Sequence, residues 1–123
     1  LMDDQAYDEG FSSVAVPCEY GQVLEQLWRR QILSDWASSM MLRVMMRLRG
    51  NRMLPWHLPK EALVAHKTGA IEKVRNDVGV VTLPDGRGYV AVFFSRNLKS
   101  DKNGETAIAE ASRLLFQYMV TKR

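Results

Sequence analysis

Apolar residues in the first half of the chain recur at the spacing of an α-helix. Residues 1–9 are acidic and predict a short helix that Gly10 ends. Pro17 predicts the start of a second helix, because its fixed φ suits the first helical turn and its missing N–H costs nothing there. The buried face of this helix is expected at Val23, Leu24, Leu27 and Trp28.

A further amphipathic helix follows after a short break. Ser34 predicts its N-cap and Asp35 its first turn. The pattern continues to about Arg49, and Gly50 is a residue type that commonly ends a helix. Its apolar positions are Met40, Met41, Val44, Met45 and Leu48. The sequence therefore predicts that residues 1–60 are mainly helical.

Short runs of β-branched and aromatic residues replace the helical pattern from Leu63 onward. Residues 63–65 lead into a first strand, and residues 78–83 and 89–94 predict two more. Pro84-Asp85-Gly86 between the last two runs is typical of a hairpin turn. Three antiparallel strands are therefore expected.

The end of the chain returns to helical spacing. Residues 99–104 are polar and predict a loop, and residues 105–120 predict the last helix, with an apolar stripe at Ile108, Ala111, Leu115 and Met119. The predicted fold class is α+β: helices, then a three-stranded antiparallel sheet, then a C-terminal helix. Residues 1–60 and 61–123 are expected to form two segments of one compact unit.

Composition narrows the class of protein. With 46% hydrophobic and 25% charged residues among 123, the chain has the composition of a globular domain. A net charge of +3 does not argue for a nucleic-acid partner or a membrane surface. Cys18 is the one cysteine and there are two histidines, so the sequence predicts no internal disulfide and no metal site. No cofactor is expected. No apolar run approaches the ~18 residues of a membrane span.

The candidate chemistry lies in Lys67-Thr68-Gly69, which follows the first apolar run of the sheet region. A Lys-Thr-Gly triplet on a strand is one of three signatures of class A β-lactamases and penicillin-binding proteins. The other two, Ser-x-x-Lys and Ser-Asp-Asn, do not occur in the 123 residues. Ser34-Asp35-Trp36 has the wrong third residue for Ser-Asp-Asn, and a helix cap accounts for it.

The order of segments around this triplet resembles the C-terminal half of the class A β-lactamase family, and the match covers nearly the whole chain. Each segment is a weak signal alone, and their shared order is the strong one. The matching segments are residues 16–27, 32–34, 58–59, 64–69, 74–81, 83–86 and 89–92.

The resemblance implies roles for individual residues. Lys67 would supply positive charge beside the nucleophile and the substrate carboxylate, and Thr68 would donate a hydrogen bond to that carboxylate. Gly69 would let the substrate lie close to the strand, and the N–H of Ala70 would be one of two oxyanion-hole donors. Arg75 is a further candidate for holding the substrate carboxylate. The other oxyanion donor belongs to the nucleophilic serine, which this chain lacks, and no residue is assigned as the deacylating carboxylate.

His66 is expected to point away from Lys67, because side chains alternate along a strand, and to be a packed histidine. The surface arginines Arg43, Arg47, Arg49 and Arg52 could contact phosphates or an acidic partner, and a solvated helix face explains them as well.

Two functions follow from these observations. The first is a partial serine hydrolase whose intact parent acts on a β-lactam or a peptidoglycan-like substrate. The second is a non-catalytic binding or oligomerisation module, in which an exposed apolar face pairs with a second copy or with the missing N-terminal half. A basic nucleic-acid binder rests on the arginines alone. The family resemblance implies a periplasmic or secreted protein.

Overall fold

The computed structural model describes residues 10, 14–48 and 52–122 of the chain. The helix expected over residues 1–9, and the helix end expected at Gly50, lie outside the described residues. The described elements are three helices and a three-stranded antiparallel sheet, so the α+β prediction is confirmed. Their bounds are α1 (Pro17–Trp28), α2 (Asp35–Met46), β1 (Leu63–Ile71), β2 (Val74–Thr82), β3 (Gly88–Phe93) and α3 (Asp101–Thr121).

The first two helices begin where the sequence predicts. Pro17 occupies the first turn of α1, and Val16 before it makes no side-chain cap. The Ser34 hydroxyl caps α2 by accepting a hydrogen bond from the Ala37 N–H at 3.2 Å. The end of α2 was predicted about three residues late. The helix stops at Met46, and the N–H of its C-cap residue, Arg47, donates to the Val44 carbonyl three residues earlier at 3.1 Å, which tightens the last turn.

The prediction of a loop over residues 99–104 is wrong. The Ser100 hydroxyl accepts a hydrogen bond from the Asn103 N–H at 3.2 Å, and α3 begins at Asp101. The polar residues that indicated a loop are therefore a cap and a first helical turn. Gly104 lies inside the helix, where a Cβ would come within 2.5 Å of Leu98 Cδ1. The Leu98 side chain fills the space that a side chain at position 104 would occupy.

The sheet separates two helical layers because side chains alternate along its strands. Val78 and Val80 of β2 pack with Leu24 of α1. Val81 of the same strand belongs to a cluster that contacts Leu115, Phe116 and Met119 of α3. On β1, Ala65 packs against Leu27 and Leu42 of α1 and α2. The division of the chain near residue 60 stays a prediction.

Tyr89 of β3 is a buried phenol with a testable consequence. Its hydroxyl has no hydrogen-bond partner among the described residues, and burial raises its pKa to about 12. An unfolded tyrosine with an ordinary pKa loses its proton first as pH rises above about 10. The unfolded state then binds fewer protons than the folded state, so the free energy of unfolding falls between about pH 10 and pH 12.

We expect Tyr89→Phe to remove this alkaline loss while leaving the stability at pH 7 near that of the parent chain. Urea unfolding at pH 7, 9, 10 and 11 gives the free energy of unfolding of each protein. Lysines titrate in the same range in both proteins, so the difference between parent and variant reports Tyr89. If the free energy of unfolding fell equally with pH in the two proteins, Tyr89 would not be the cause of the alkaline loss. Tyr118→Phe, which changes an exposed phenol, is the matched control.

Candidate functional site

The predicted site residues 67–70 lie consecutively on β1, at one edge of the sheet. The strand order is β1-β2-β3, so within the described residues only β2 pairs with β1. Lys67, Thr68, Gly69 and Ala70 face Val78, Asp77, Asn76 and Arg75 across that ladder. Three of the four residues are exposed and Thr68 is half-buried. The outer backbone edge of β1 is therefore open along the Lys-Thr-Gly triplet, as an extended substrate needs.

Alternation along β1 divides these side chains between the two faces of the sheet. Lys67 and Gly69 share the face of Ala65, toward α1 and α2. Thr68 and Ala70 share the opposite face with His66. The Lys67 ammonium donates a hydrogen bond to the Thr68 carbonyl, which holds it against its own strand. The exposure of Lys67 and the burial of His66 confirm that the two side chains point apart.

His66 is part of a buried hydrogen-bond chain beneath the triplet. Its Nδ1 lies 2.9 Å from Asp77 Oδ1, and the two side chains are 3% and 0% exposed. The other Asp77 oxygen accepts a hydrogen bond from the Leu54 N–H at 2.9 Å. The Leu54 carbonyl in turn accepts from the Ser112 hydroxyl at 2.7 Å. The chain thus links β1, β2, the segment before the sheet and α3.

The expectation of a packed histidine is confirmed, but its partner was not anticipated. Asp77 lies next to a run of apolar residues on β2, and a lone carboxylate there needs a buried partner. Side chains alternate between the two faces along β1 and β2, and the register of the two strands places His66 and Asp77 on the same face. That pattern is the sequence signal that could have identified the pair.

Gly79 and Gly69 lie on neighbouring strands in different surroundings. A Cβ on Gly79 would lie 2.5 Å from the Ala65 carbonyl oxygen and 2.7 Å from His66 Cβ. A Cβ on Gly69 would meet only Asn76 Cβ, at an ordinary 3.8 Å. Gly79 therefore allows β1 to approach β2 closely just before the triplet, while Gly69 leaves the open edge uncovered.

Arg75 pairs with Ala70 in the ladder, but its guanidinium is held by α3. Nε lies 2.9 Å from Glu105 Oε1, and Nη2 lies 3.0 Å from Asp101 Oδ2. Nη1 donates to the carbonyls of Ile71 and Val74, and the side chain is 18% exposed. A substrate carboxylate would have to compete with two protein carboxylates for this group. The role of Arg75 in substrate binding stays a prediction.

Two classes of feature are missing from the described part of the chain. Within residues 14–48 and 52–122, no three His, Cys, Asp or Glu side chains cluster closely enough to hold a metal ion. Over those same ranges, no helix has both the length and the apolarity to span a membrane.

Comparison with known proteins identifies the class to which this fold and strand belong. The model of the beta-lactamase enzyme family matches residues 1–119. The chain therefore belongs to that family.

Individual relatives agree with this assignment. The chain is 29% identical over 128 aligned positions to the extended-spectrum beta-lactamase PER-1 of Pseudomonas aeruginosa, covering 98% of this chain and 41% of that protein. It is 34% identical over 80 residues to beta-lactamase VEB-1 of the same organism, covering 59% of this chain and 27% of that one.

Solved structures show the same fold. A beta-lactamase from Chitinophaga pinensis superposes with a TM-score of 0.87 at 29% identity, covering 94% of this chain and 46% of that one. The structure of PBP-A gives 0.85 at 30% identity, covering 94% and 43%. The chain spans less than half the length of each of these four relatives.

Proposed function

We propose that this chain is a partial class A β-lactamase-like serine hydrolase that contributes the substrate-carboxylate strand of the active site. The observation that carries the proposal is the open edge of β1, along which Lys67 and Ala70 are exposed and Thr68 is half-buried. Family membership supports a β-lactam, or a related peptidoglycan-like peptide, as the substrate class of the intact enzyme. It also supports a periplasmic or secreted location.

The proposed chemistry divides between this strand and residues that the chain does not contain. Lys67 attracts the substrate carboxylate and Thr68 donates a hydrogen bond to it. The Ala70 N–H stabilises the developing oxyanion, a contribution worth about 3 kcal/mol in the transition state. Ser-x-x-Lys and Ser-Asp-Asn are absent from the 123 residues, so the nucleophile and its base must come from another part of the fold. The chain alone is expected to bind weakly and to perform no acyl transfer.

Intact-protein mass spectrometry with excess benzylpenicillin, together with a chromogenic cephalosporin assay, tests the catalytic half of the proposal. We expect an unmodified mass and no turnover above the rate without protein. A covalent adduct or steady turnover would show that the chain has its own nucleophile and would overturn the division of roles.

The binding half has a separate test. In a ¹⁵N-labelled chain titrated with benzylpenicillin, the amides of Thr68, Gly69 and Ala70 should shift together with a dissociation constant in the range of about 1–10 mM. Thr68→Val should weaken the binding, and Thr106→Val on α3 is the matched control. Shifts that avoid β1, or that are unchanged in Thr68→Val, would contradict a substrate-carboxylate strand.

The alternative function is a non-catalytic binding or oligomerisation module derived from the same fold. The observation that favours it is the apolar surface of α2, where Trp36 is 74% exposed and Val44 is 65% exposed. Large exposed apolar patches mark interaction surfaces. The proposed partner is a second copy or the missing N-terminal half. Sedimentation velocity over a hundredfold concentration range tests self-association, and a monomer at every concentration would remove the homo-oligomer.

A further inference from the structure

A cavity of about 330 Å³ lies between α1, α2 and the sheet, where Ala65 of β1 and Val80 and Thr82 of β2 line it. Its apolar wall is formed by Leu42, Ala65 and Val80, which are nearly fully buried, and by the indole of Trp28. This volume lies at the lower end of the range of small-molecule sites, which begins at about 300 Å³. The cavity therefore has room for one small ring system.

The polar side of the cavity is cationic. Arg30 and Arg43 both line it, and none of the lining residues is a carboxylate. Arg30 Nε lies 3.4 Å from the Ser39 hydroxyl, and Nη1 donates to the Trp28 carbonyl at 3.0 Å. Arg43 follows Ser39 by one turn of α2, on the same side of the helix.

These two arginines differ from their neighbours in their charge partners. Arg29, one residue earlier, forms an ion pair with Glu25 at 2.8 Å. Across the ranges that the structure describes, neither Arg30 nor Arg43 forms an ion pair with a carboxylate. Two positive charges beside one apolar cavity, without anionic partners there, match an anionic ligand.

The backbone at Arg30 adds an independent argument. Arg30 has φ 60°, its N–H donates to Leu27 O, and the Gln31 N–H donates to Gln26 O at 2.8 Å. This is the Schellman arrangement, whose left-handed residue is usually glycine because a Cβ disfavours it. The chain holds an arginine in this unfavourable conformation, and the result is a guanidinium at the cavity.

We infer that this cavity binds a small organic carboxylate, with its apolar body against Trp28 and Leu42 and its carboxylate between Arg30 and Arg43. The site is separate from residues 67–70, so the inference does not depend on the proposed function. Aryl carboxylates fit the combination best, because a flat ring matches the indole wall and a planar carboxylate matches a guanidinium.

Binding can be tested with 2-naphthoate, using 2-naphthamide as the neutral molecule of matched shape. The chain has three tryptophans, and their indole N–H signals in a ¹⁵N-labelled sample can be assigned with Trp36→Phe and Trp56→Phe. We expect 2-naphthoate to shift the Trp28 signal saturably, and 2-naphthamide to bind at least about tenfold more weakly. Equal affinities for the two molecules, or no shift of Trp28, would overturn the inference.

Variants of the arginines complete the test. Arg30→Gly and Arg43→Gln should each weaken 2-naphthoate binding about tenfold, while Arg29→Gln, whose arginine does not line the cavity, should leave it unchanged. Arg30→Gly should not lower the unfolding temperature, since glycine suits the left-handed conformation. An Arg43→Gln variant that unfolds like the parent chain and binds 2-naphthoate equally well would refute the site even if Arg30→Gly failed to fold.

Discussion

Gly79→Ala is expected to destabilise the chain by about 3 kcal/mol, at the upper end of the roughly 1–3 kcal/mol that overpacking a core usually costs. The added Cβ would lie 2.5 Å from the Ala65 carbonyl oxygen and 3.0 Å from His66 Cα. These are backbone atoms of β1, so relief requires the strands to separate rather than a side chain to rotate. The separation would occur at His66, directly before the Lys-Thr-Gly triplet. Urea unfolding followed by circular dichroism measures the loss.

Gly69→Ala provides the matched control, since the same methyl group is added to the neighbouring strand. Its nearest contact would be Asn76 Cβ at 3.8 Å, which is an ordinary van der Waals distance. We expect the free energy of unfolding to change by less than about 1 kcal/mol. If Gly79→Ala were as stable as Gly69→Ala, the close approach of β1 and β2 would not describe the protein.

The two glycines show how far the sequence predicts the site. The triplet and its place on a strand follow from local residue order, because a three-residue motif after an apolar run depends on nothing distant. The requirement for glycine at position 79 does not follow in this way. It arises from the backbone of β1 lying against β2, and that distance is a tertiary property which no local pattern encodes.

The helices show the same limit at their ends. Pro17 and Ser34 mark helix starts correctly, because both act through their own backbone neighbours. The sequence predicts the start of α3 four residues too late, because Gly104 is a residue type typical of loops. Gly104 lies inside the helix, and the Leu98 side chain fills the space beside it, so this glycine does not mark a loop.

The position of Arg75 in the sequence does not determine whether its guanidinium binds a substrate carboxylate. Its place beside Asp77 on the strand next to the triplet suggested contact with a substrate carboxylate. In the structure Asp101 and Glu105, one turn apart at the start of α3, lie against its guanidinium. Those residues follow Arg75 by more than one element, and the sequence predicts Asp101 within a loop and Glu105 at the start of a helix. The competition between a substrate and α3 depends on tertiary packing, so the sequence alone does not predict it.

Asp77→Ala is expected to destabilise the chain by about 3–5 kcal/mol, because losing one partner of a buried hydrogen bond costs about 1–3 kcal/mol and the Asp77 carboxyl lies within hydrogen-bond distance of two buried groups. The substitution leaves His66 Nδ1 and the Leu54 N–H without the carboxylate oxygens that lie 2.9 Å from each. Urea unfolding measures the effect. Asp85→Ala is the control, since Asp85 is exposed and pairs with Arg87 at the hairpin turn, and its unfolding should stay close to that of the parent chain.

The His66–Asp77 pair is also expected to position the Lys-Thr-Gly triplet. This role can be measured separately from stability. Asp77→Asn keeps the shape of the side chain and one acceptor oxygen, so it should fold better than Asp77→Ala. Because His66 directly precedes Lys67, weakening its anchor should shift the amide signals of residues 67–70 in the folded variant. Amide signals identical to those of the parent chain in folded Asp77→Asn would show that the pair stabilises the core without positioning the strand. Displaced signals would link the buried hydrogen-bond chain from α3 to the open edge of β1.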